Sequence, residues 1–336
     1  MALIKLNTRS ANTLIGTNLD SRFDTLISAT GGTITTDGDY KVHTFTSSGT
    51  FEITSIEGLG EVRILTVAGG GGGGWNGGGG GGAGGMTEET YIMGVGQYVV
   101  TIGSGGAGRN SGTAAASNGR GNDSLVNPNQ SVTATASING YDDTIGVRGG
   151  GSAGPGGSGS YATARYWTNY NGGSGAGLSA ITQTPAREVM GSYVANEGTS
   201  GQGNAGGGFV TYGGSSTFTG GGGGGGAGGW GGTAPQGGGP IGAKGGGGSG
   251  KESNIRGSLE TFAGGGGGGY GSWDASNPAL GGVGGGGNGG TRNSTAPTAG
   301  GTNTGGGGGG GAWDTGTLTG SNGGSGIVVF RYRFQG

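Results

Sequence analysis

The stretch Glu61-Val-Arg-Ile-Leu-Thr-Val-Ala-Gly-Gly-Gly-Gly-Gly-Gly74 joins two incompatible kinds of chain. Its first half is aliphatic and β-branched and reads as a strand. Its second half has no side chains, so it offers no hydrophobic face to an amphipathic helix or a half-buried strand. Bare runs of the same kind recur at Gly77–Gly82, Gly220–Gly226, Gly264–Gly269 and Gly305–Gly311, and glycine makes up 103 of the 336 residues. Collagen has a similar glycine fraction but needs Gly at every third position and abundant Pro. Uninterrupted runs with only 7 Pro exclude it. The runs are therefore either flexible linkers or extended three-residue-per-turn helices of polyproline II geometry, packed side by side.

Ordering glycine costs roughly 1–2 kcal/mol of backbone entropy per residue. A lone run has nothing to offset that. Several runs of matched length can do so together, because bare backbones approach closely enough for inter-run hydrogen bonds and Cα–H···O contacts of about 0.5–1 kcal/mol each. Six or seven residues span about 19–22 Å at a rise of ~3.1 Å, which suits parallel packing. The expectation is an ordered slab.

Strand signals flank it. Tyr40–Thr46 and Thr50–Thr54 read as a hairpin turning at Ser47-Ser48-Gly49, followed by Glu61–Val67 and Tyr98–Ile102. The closing run Ile327–Phe334 places Val328, Phe330, Tyr332 and Phe334 on one face and Arg331 and Arg333 on the other. The expected fold is all-β: an antiparallel sandwich closed by N- and C-terminal strands, with a slab of packed polyglycine II helices inserted. Residues 37–105 with 324–336 would form the sandwich and 106–323 the glycine-rich region. Residues 1–36 stand apart as a Gly-poor segment in which Leu19, Phe23, Leu26 and Ile27 fall at helical spacing. That stripe reads equally as a short helix packing on its own domain and as a docking or oligomerisation segment.

Composition narrows the function classes. A net charge of −2 gives no attraction to nucleic acid or an acidic membrane surface. Cys is absent, which removes disulfides, thiolate nucleophiles and Cys metal sites. The opening residues show no charged-then-apolar leader pattern, and no stretch approaches the ~18 apolar residues of a membrane span, so neither a signal peptide nor membrane insertion is expected. Gly245-Gly-Gly-Gly-Ser-Gly-Lys251 imitates a phosphate-binding loop, but Glu252 stands where Ser or Thr must reach magnesium. Gly119-Arg-Gly-Asn-Asp-Ser-Leu125 echoes one copy of a calcium repeat whose sites need stacked tandem copies. His43, the only histidine, lies mid-strand, and Glu88-Glu89 and Asp142-Asp143 are adjacent pairs whose side chains diverge in an extended chain. No catalytic residue, metal site or cofactor is expected.

Aromatic inserts alternate with the glycine runs, and Trp75, Trp230, Trp273 and Trp313 each fall within four residues of the end of a run. The pairs Trp273-Asp274 and Trp313-Asp314 combine a ring that can stack on a sugar with a carboxylate that can accept its hydroxyls. Their structural alternative is a lid over the slab end and a turn cap. The cluster Tyr161, Tyr166, Trp167 and Tyr170 supplies large contact area at low rotamer cost, as recognition surfaces do, or else a satellite core. Tyr212 and Tyr270 complete the candidate receptor-binding set.

Tyr40-Lys-Val-His-Thr-Phe-Thr with Gly49-Thr-Phe, Ile64-Leu-Thr-Val-Ala followed by six Gly, Tyr98-Val-Val-Thr-Ile-Gly-Ser-Gly-Gly, and Gly323-Gly-Ser-Gly-Ile-Val-Val-Phe-Arg-Tyr resemble the glycine-rich domain of tailed-bacteriophage fibre proteins over about residues 38–336. The opening Leu3-Ile-Lys-Leu-Asn-Thr-Arg-Ser is similar to fibre starts in phages of marine and photosynthetic bacteria. The adhesins capping the long tail fibres of T-even phages likewise join β-structure to packed polyglycine helices. The resemblance implies a virion tail appendage, fibre or adhesin tip, that attaches to a host cell-surface glycan or outer-membrane protein. Its other partners would be tail or fibre proteins and its own copies, as a trimer. No binding loop matches, so no family residue role carries over. The alternatives are a purely structural fibre or capsid decoration subunit, and an ice-binding or cell-wall glycine-rich protein, whose flat regular face the irregular inserts argue against. An enzyme is the weakest reading.

Overall fold

The computed structural model describes residues 26–110, 119–129, 144–153, 157–158, 172–179, 181–182, 196–208, 220–234, 245–270, 278–292, 295–312 and 319–335. Among them there is no α-helix. The strands are β1 (Leu26–Thr30), β2 (Thr33–Asp37), β3 (Tyr40–Phe45), β4 (Gly49–Glu57), β5 (Glu61–Val67), β6 (Met86–Ile92), β7 (Gly96–Thr101), β8 (Ser124–Pro128), β9 (Ile145–Val147), β10 (Gly157–Ser158), β11 (Ile181–Thr182), β12 (Lys251–Ser253), β13 (Glu260–Phe262) and β14 (Ile327–Arg333). Two five-stranded antiparallel sheets dominate, ordered β1-β4-β7-β8-β9 and β2-β3-β14-β5-β6. A short antiparallel pair β12–β13 and a two-residue parallel pair β10–β11 complete the set.

The sheets share one apolar cluster. Phe51 and Ile53 of β4 and Tyr98 and Val100 of β7 meet Ile64 of β5 and Val328, Phe330 and Tyr332 of β14. The Phe51 and Phe330 rings stack at 4.1 Å between centroids, with Phe45 edge-on to Phe330 at 5.7 Å. Each fully buried aromatic of this kind contributes about 1.5–3 kcal/mol of transfer free energy. The opposite face of the β14 sheet is also covered. Val42, Leu65, Val67, Ile327 and Val329 pack with Met86 and with Ile255 and Phe262 from the β12–β13 region.

Two expectations need correction. Tyr40–Thr46 and Thr50–Thr54 do not form a hairpin, because β3 and β4 lie in different sheets and residues 46–48 carry the chain across. Alternation shows that each run buries one face, and both bury it in the same interior; it does not say on which side of that interior each run sits. The helical stripe also fails where it can be seen. Leu26 and Ile27 lie in strand β1, and Ile27 is buried in the shared cluster. Four apolar positions were too few to separate a 3.6-residue period from the β signal of Leu26-Ile-Ser-Ala-Thr30. Leu19 and Phe23 lie outside the described residues. The sheets thus reach beyond 37–105 and 324–336, taking in β1, β2, β8 and β9.

Between the strands the glycine runs bond to one another with a period of three. Gly69 and Gly72 donate to Asn122 and Gly119, Gly70 and Gly73 to Gly324 and Ser321, and Gly71 and Gly74 to Gly82 and Gly79, at 2.7–3.0 Å. The returning run has six neighbouring segments. Its N–H groups reach Gly222 and Gly225, Gly308 and Gly305, and Gly151 and Arg148. Its carbonyls accept from Gly71 and Gly74, from Ser174 and Gly177, and from Gly266 and Gly269. Over its all-glycine part a segment surrounded in this way leaves no direction for a side chain, and Ala83, at the strand-side end, sets its methyl in the cluster with Val67 and Met86. A Cβ on Gly71, Gly81, Gly223, Gly266 or Gly308 would overlap a neighbouring carbonyl oxygen. Polar residues appear where segments reach the rim, and there they bond across: Gly108 N donates to Asn322 Oδ1 at 2.8 Å and Gly281 N to Asn288 Oδ1 at 2.9 Å.

Candidate functional site

The glycine lattice has two distinct ends. At one it abuts the strands: Ala68 N bonds Gly85 O between β5 and β6, Gly326 N bonds Gly103 O, and Met86 N bonds Gln202 O. The opposite end is a layer of segment ends tied together by backbone bonds, Gly311 N to Gly74 O, Gly77 N to Gly311 O, Gly269 N to Gly78 O, Gly221 N to Gly269 O and Leu178 N to Gly207 O. From this far layer the chain departs after Gly208, Tyr270 and Ala312.

Those departures lead to the candidate aromatics. Tyr212, Trp273, Asp274, Trp313 and Asp314 lie outside the described residues, and each falls in a segment whose described flank belongs to the far layer. Tyr270 is described. Its N–H donates to Gly290 O at 2.9 Å, and its half-buried ring lies beside Gly220. Tyr161, Tyr166, Trp167 and Tyr170 also lie outside the described residues, between Ser158 and Gly172. Gly172 is on the strand side, accepting from Thr199 N at 2.9 Å. The structure therefore relates the Tyr212, Tyr270, Trp273 and Trp313 segments through one layer; of the residues flanking the Trp167 cluster, Gly157 and Ser158 pair with Ile181 and Thr182 just beyond Leu178 of that layer, whereas Gly172 lies on the strand side. Of the docking set, Ile27 is core and Leu26 is half-buried in β1.

His43 is a fully buried strand residue whose ring bonds tie three elements together. Nδ1 donates to Gly31 O at 2.7 Å, and Nε2 accepts from the Tyr332 hydroxyl at 2.7 Å. A carbonyl can only accept, which puts a proton on Nδ1, and burial disfavours a second proton on Nε2, which is thus left to accept from Tyr332. Burial holds the His43 pKa below its ordinary 6.5, with Lys41 adding to the effect and the Gly31 bond opposing it. Burial likewise pushes Tyr332 up to about 12, against a backbone bond from Ala29. Neither group faces a nucleophile or an open cleft, so this network works as structure.

Ion pairs cluster on the β14 sheet: Arg63 with Glu88, and Arg331 with Asp37 at 2.7 Å, the latter guanidinium also lying over Tyr40 at 4.3 Å. Among the described residues no group of His, Cys, Asp or Glu is arranged to hold a metal ion, and no helix is long and apolar enough to cross a membrane. One exposed aromatic was not among the sequence candidates. Trp230, on the strand side, is 78% exposed, and its only sequence signal was its place just after a glycine run.

Residues 46–333 match the model of the glycine-rich domain family. The chain belongs to that family. The match spans both the sheets and the lattice, so the family unit is the combination and not the glycine tract alone. No curated protein matches the sequence.

Proposed function

We propose that this glycine-rich-domain protein is a bacteriophage virion component, a tail fibre or adhesin tip that attaches the particle to the host cell surface through the aromatic inserts at the far end of its lattice. One observation carries the reading: glycine segments with a three-residue bonding period and six neighbours span from the sheets to a single layer from which those inserts depart. Six-fold surroundings and a period of three are the arrangement expected of packed polyglycine II helices, standing on a sandwich of the two sheets. A body bonded on every side is stiff, and stiffness holds a contact surface at low entropic cost on binding. The lattice itself has almost no side chains with which to specify a ligand. Recognition must then reside in the inserts, where Tyr270, Trp273, Asp274, Trp313 and Asp314 provide rings for a glycan or protein surface and carboxylates for its donors. The preceding segment with Leu19 and Phe23 would join the chain to a tail protein or to its own copies. The reading requires no chemistry of bond cleavage.

The test is placement followed by competition. Gold-labelled antibody against the purified chain should decorate the tail appendages of the phage that encodes it, and the purified chain should compete with that phage for adsorption. Trp273→Ala combined with Trp313→Ala should abolish competition while the melting temperature holds. Decoration of the capsid shell, with no competition, would replace this reading by a structural decoration subunit. Loss of competition in Trp167→Ala alone would move the contact surface to the Trp167 cluster.

A further inference from the structure

Trp230 stands on the lateral surface of the lattice at its strand-side end, remote from the far layer. The turn before it is anchored by Ala227 N donating to Ala263 O at 2.9 Å, next to β13. A large apolar ring left 78% exposed contributes little to folding. The ring is nevertheless oriented. Its Nε1 donates to Asn204 Oδ1 at 3.1 Å, and the Asn204 amide is itself held by Nδ2 bonds to Gly226 O at 2.9 Å and Ala227 O at 3.1 Å. An exposed indole oriented by this bond presents a flat π face with part of its rotamer freedom already lost, as a preformed ligand platform requires.

The surface beside it alternates between apolar and polar. The adjoining segment presents exposed Ser249, whose carbonyl takes the Gly228 and Gly229 N–H groups at 3.0 and 2.9 Å and whose hydroxyl lies beside Gly229. Beyond it come exposed Leu280 and Val283, whose carbonyls accept from Gly247 and Gly250 at 2.9 and 2.8 Å. The three-residue period explains the order. Gly247 and Gly250 donate inward to the Leu280–Val283 segment and Gly248 to Gly224, which leaves the third phase, occupied by Ser249, turned to solvent. A hydroxyl-bearing strip thus runs between an aromatic platform and two aliphatic side chains. The side chain that holds the ring, Asn204, is uncharged, and the exposed Lys251 and Glu252 that follow Ser249 on its segment carry opposite charges.

We infer that Trp230 is the stacking platform of a lateral binding site for a neutral glycan chain, with the Ser249 strip serving the hydroxyl rim of the sugar and Leu280 and Val283 extending the apolar track. A sugar ring has an apolar C–H face and a polar edge, the same alternation that this surface carries. A protein partner would favour a continuous apolar patch instead, and the Ser249 strip divides this one. The site is independent of the far-end inserts.

Affinity electrophoresis of the full chain through gels holding dextran, mannan or galactan tests it. At least one polysaccharide should retard the wild type. Trp230→Ala should raise the apparent Kd about tenfold or more, and Trp230→Phe should keep part of the retardation. Because the ring is exposed, both variants should melt with the wild type, and Trp273→Ala with Trp313→Ala should leave the retardation intact. The inference is overturned if no gel retards the wild type, if Trp230→Ala is retarded equally, or if the far-end double variant alone loses retardation. It is also overturned if sedimentation shows Trp230→Ala converting an oligomer to a monomer with no change in retardation, which would make the ring a subunit contact.

Discussion

Phe330 in the sheets and Gly223 in the lattice both lie in a packed interior, yet substitutions act on them in opposite senses. Phe330 is held by what its side chain fills: it stacks on Phe51, meets Phe45 edge-on and sits opposite Ile64 and His43 in register. Gly223 is held by what it lacks, donating to Gly232 O at 2.9 Å and accepting from Gly207 N at 2.7 Å across spaces that admit no Cβ. The sheets are an interior of side chains stitched by backbone, whereas the lattice is backbone throughout. A core of the first kind fails by losing atoms, and one of the second kind by gaining them.

The largest effect should come from adding atoms to the lattice. Gly223→Val would drive its side chain into the Gly246 carbonyl and separate several segments together, costing about 5 kcal/mol or preventing folding. Chemical denaturation measures it, and a loss below about 1 kcal/mol would break the comparison. Removing atoms from the sheets comes next: Phe330→Ala should cost about 3–5 kcal/mol by cavity formation. If a Gly-lattice variant and this one lower the denaturation midpoint in a single shared transition, the two regions unfold as one unit; two transitions would separate them.

A smaller effect is set by pH. His43 stays neutral when folded because burial lowers its pKa, while the unfolded chain titrates near 6.5. Below that value the unfolded state binds the extra proton, so stability falls with acid, and it is fully present above it. Melting followed from about pH 7 to about pH 5 should show the decline, and His43→Gln, which removes the titrating ring, should flatten it. An equally steep decline in that variant would assign the acid sensitivity to carboxylates. The smallest effect tests why a glycine is present. Gly38, in the β2–β3 turn, has φ of +57° and open space around its Cβ direction. Gly38→Asn should cost no more than about 1 kcal/mol, because Asn tolerates that conformation.

Legibility in the sequence followed the same division. The strand runs at β3, β4, β5, β7 and β14 were visible because half-buried strands alternate, and the glycine runs because nothing else leaves six neighbours room. Pairing was not visible, since Phe45 and Phe51 look the same whether their strands share a sheet or face each other across it. β8 and β9 were missed because Ser124–Pro128 and Ile145–Val147 are short and carry their partners' register rather than a pattern of their own. Glu88 read as half of an acidic pair because its partner, Arg63, is distant in sequence. The candidate site was legible only as a collection of aromatics. That the Tyr212, Tyr270, Trp273 and Trp313 segments leave one layer depends on bonds between residues as far apart as Gly74 and Gly311. The pinning of Trp230 depends on Asn204, on a separate segment.

The last of the described strands in chain order, β14, is the middle strand of its sheet, paired with β3 on one side and β5 on the other. Until residues 327–333 leave the ribosome, β3 and β5 have no common neighbour, and Phe51 lacks the ring it stacks on. The lattice waits too, because Gly70 and Gly73 bond to Gly324 and Ser321. A nascent chain of this architecture stays open until residues 321–333 have been made and then closes sheet and lattice together. A prematurely terminated product would then be cleared as unfolded protein instead of assembling as a defective copy.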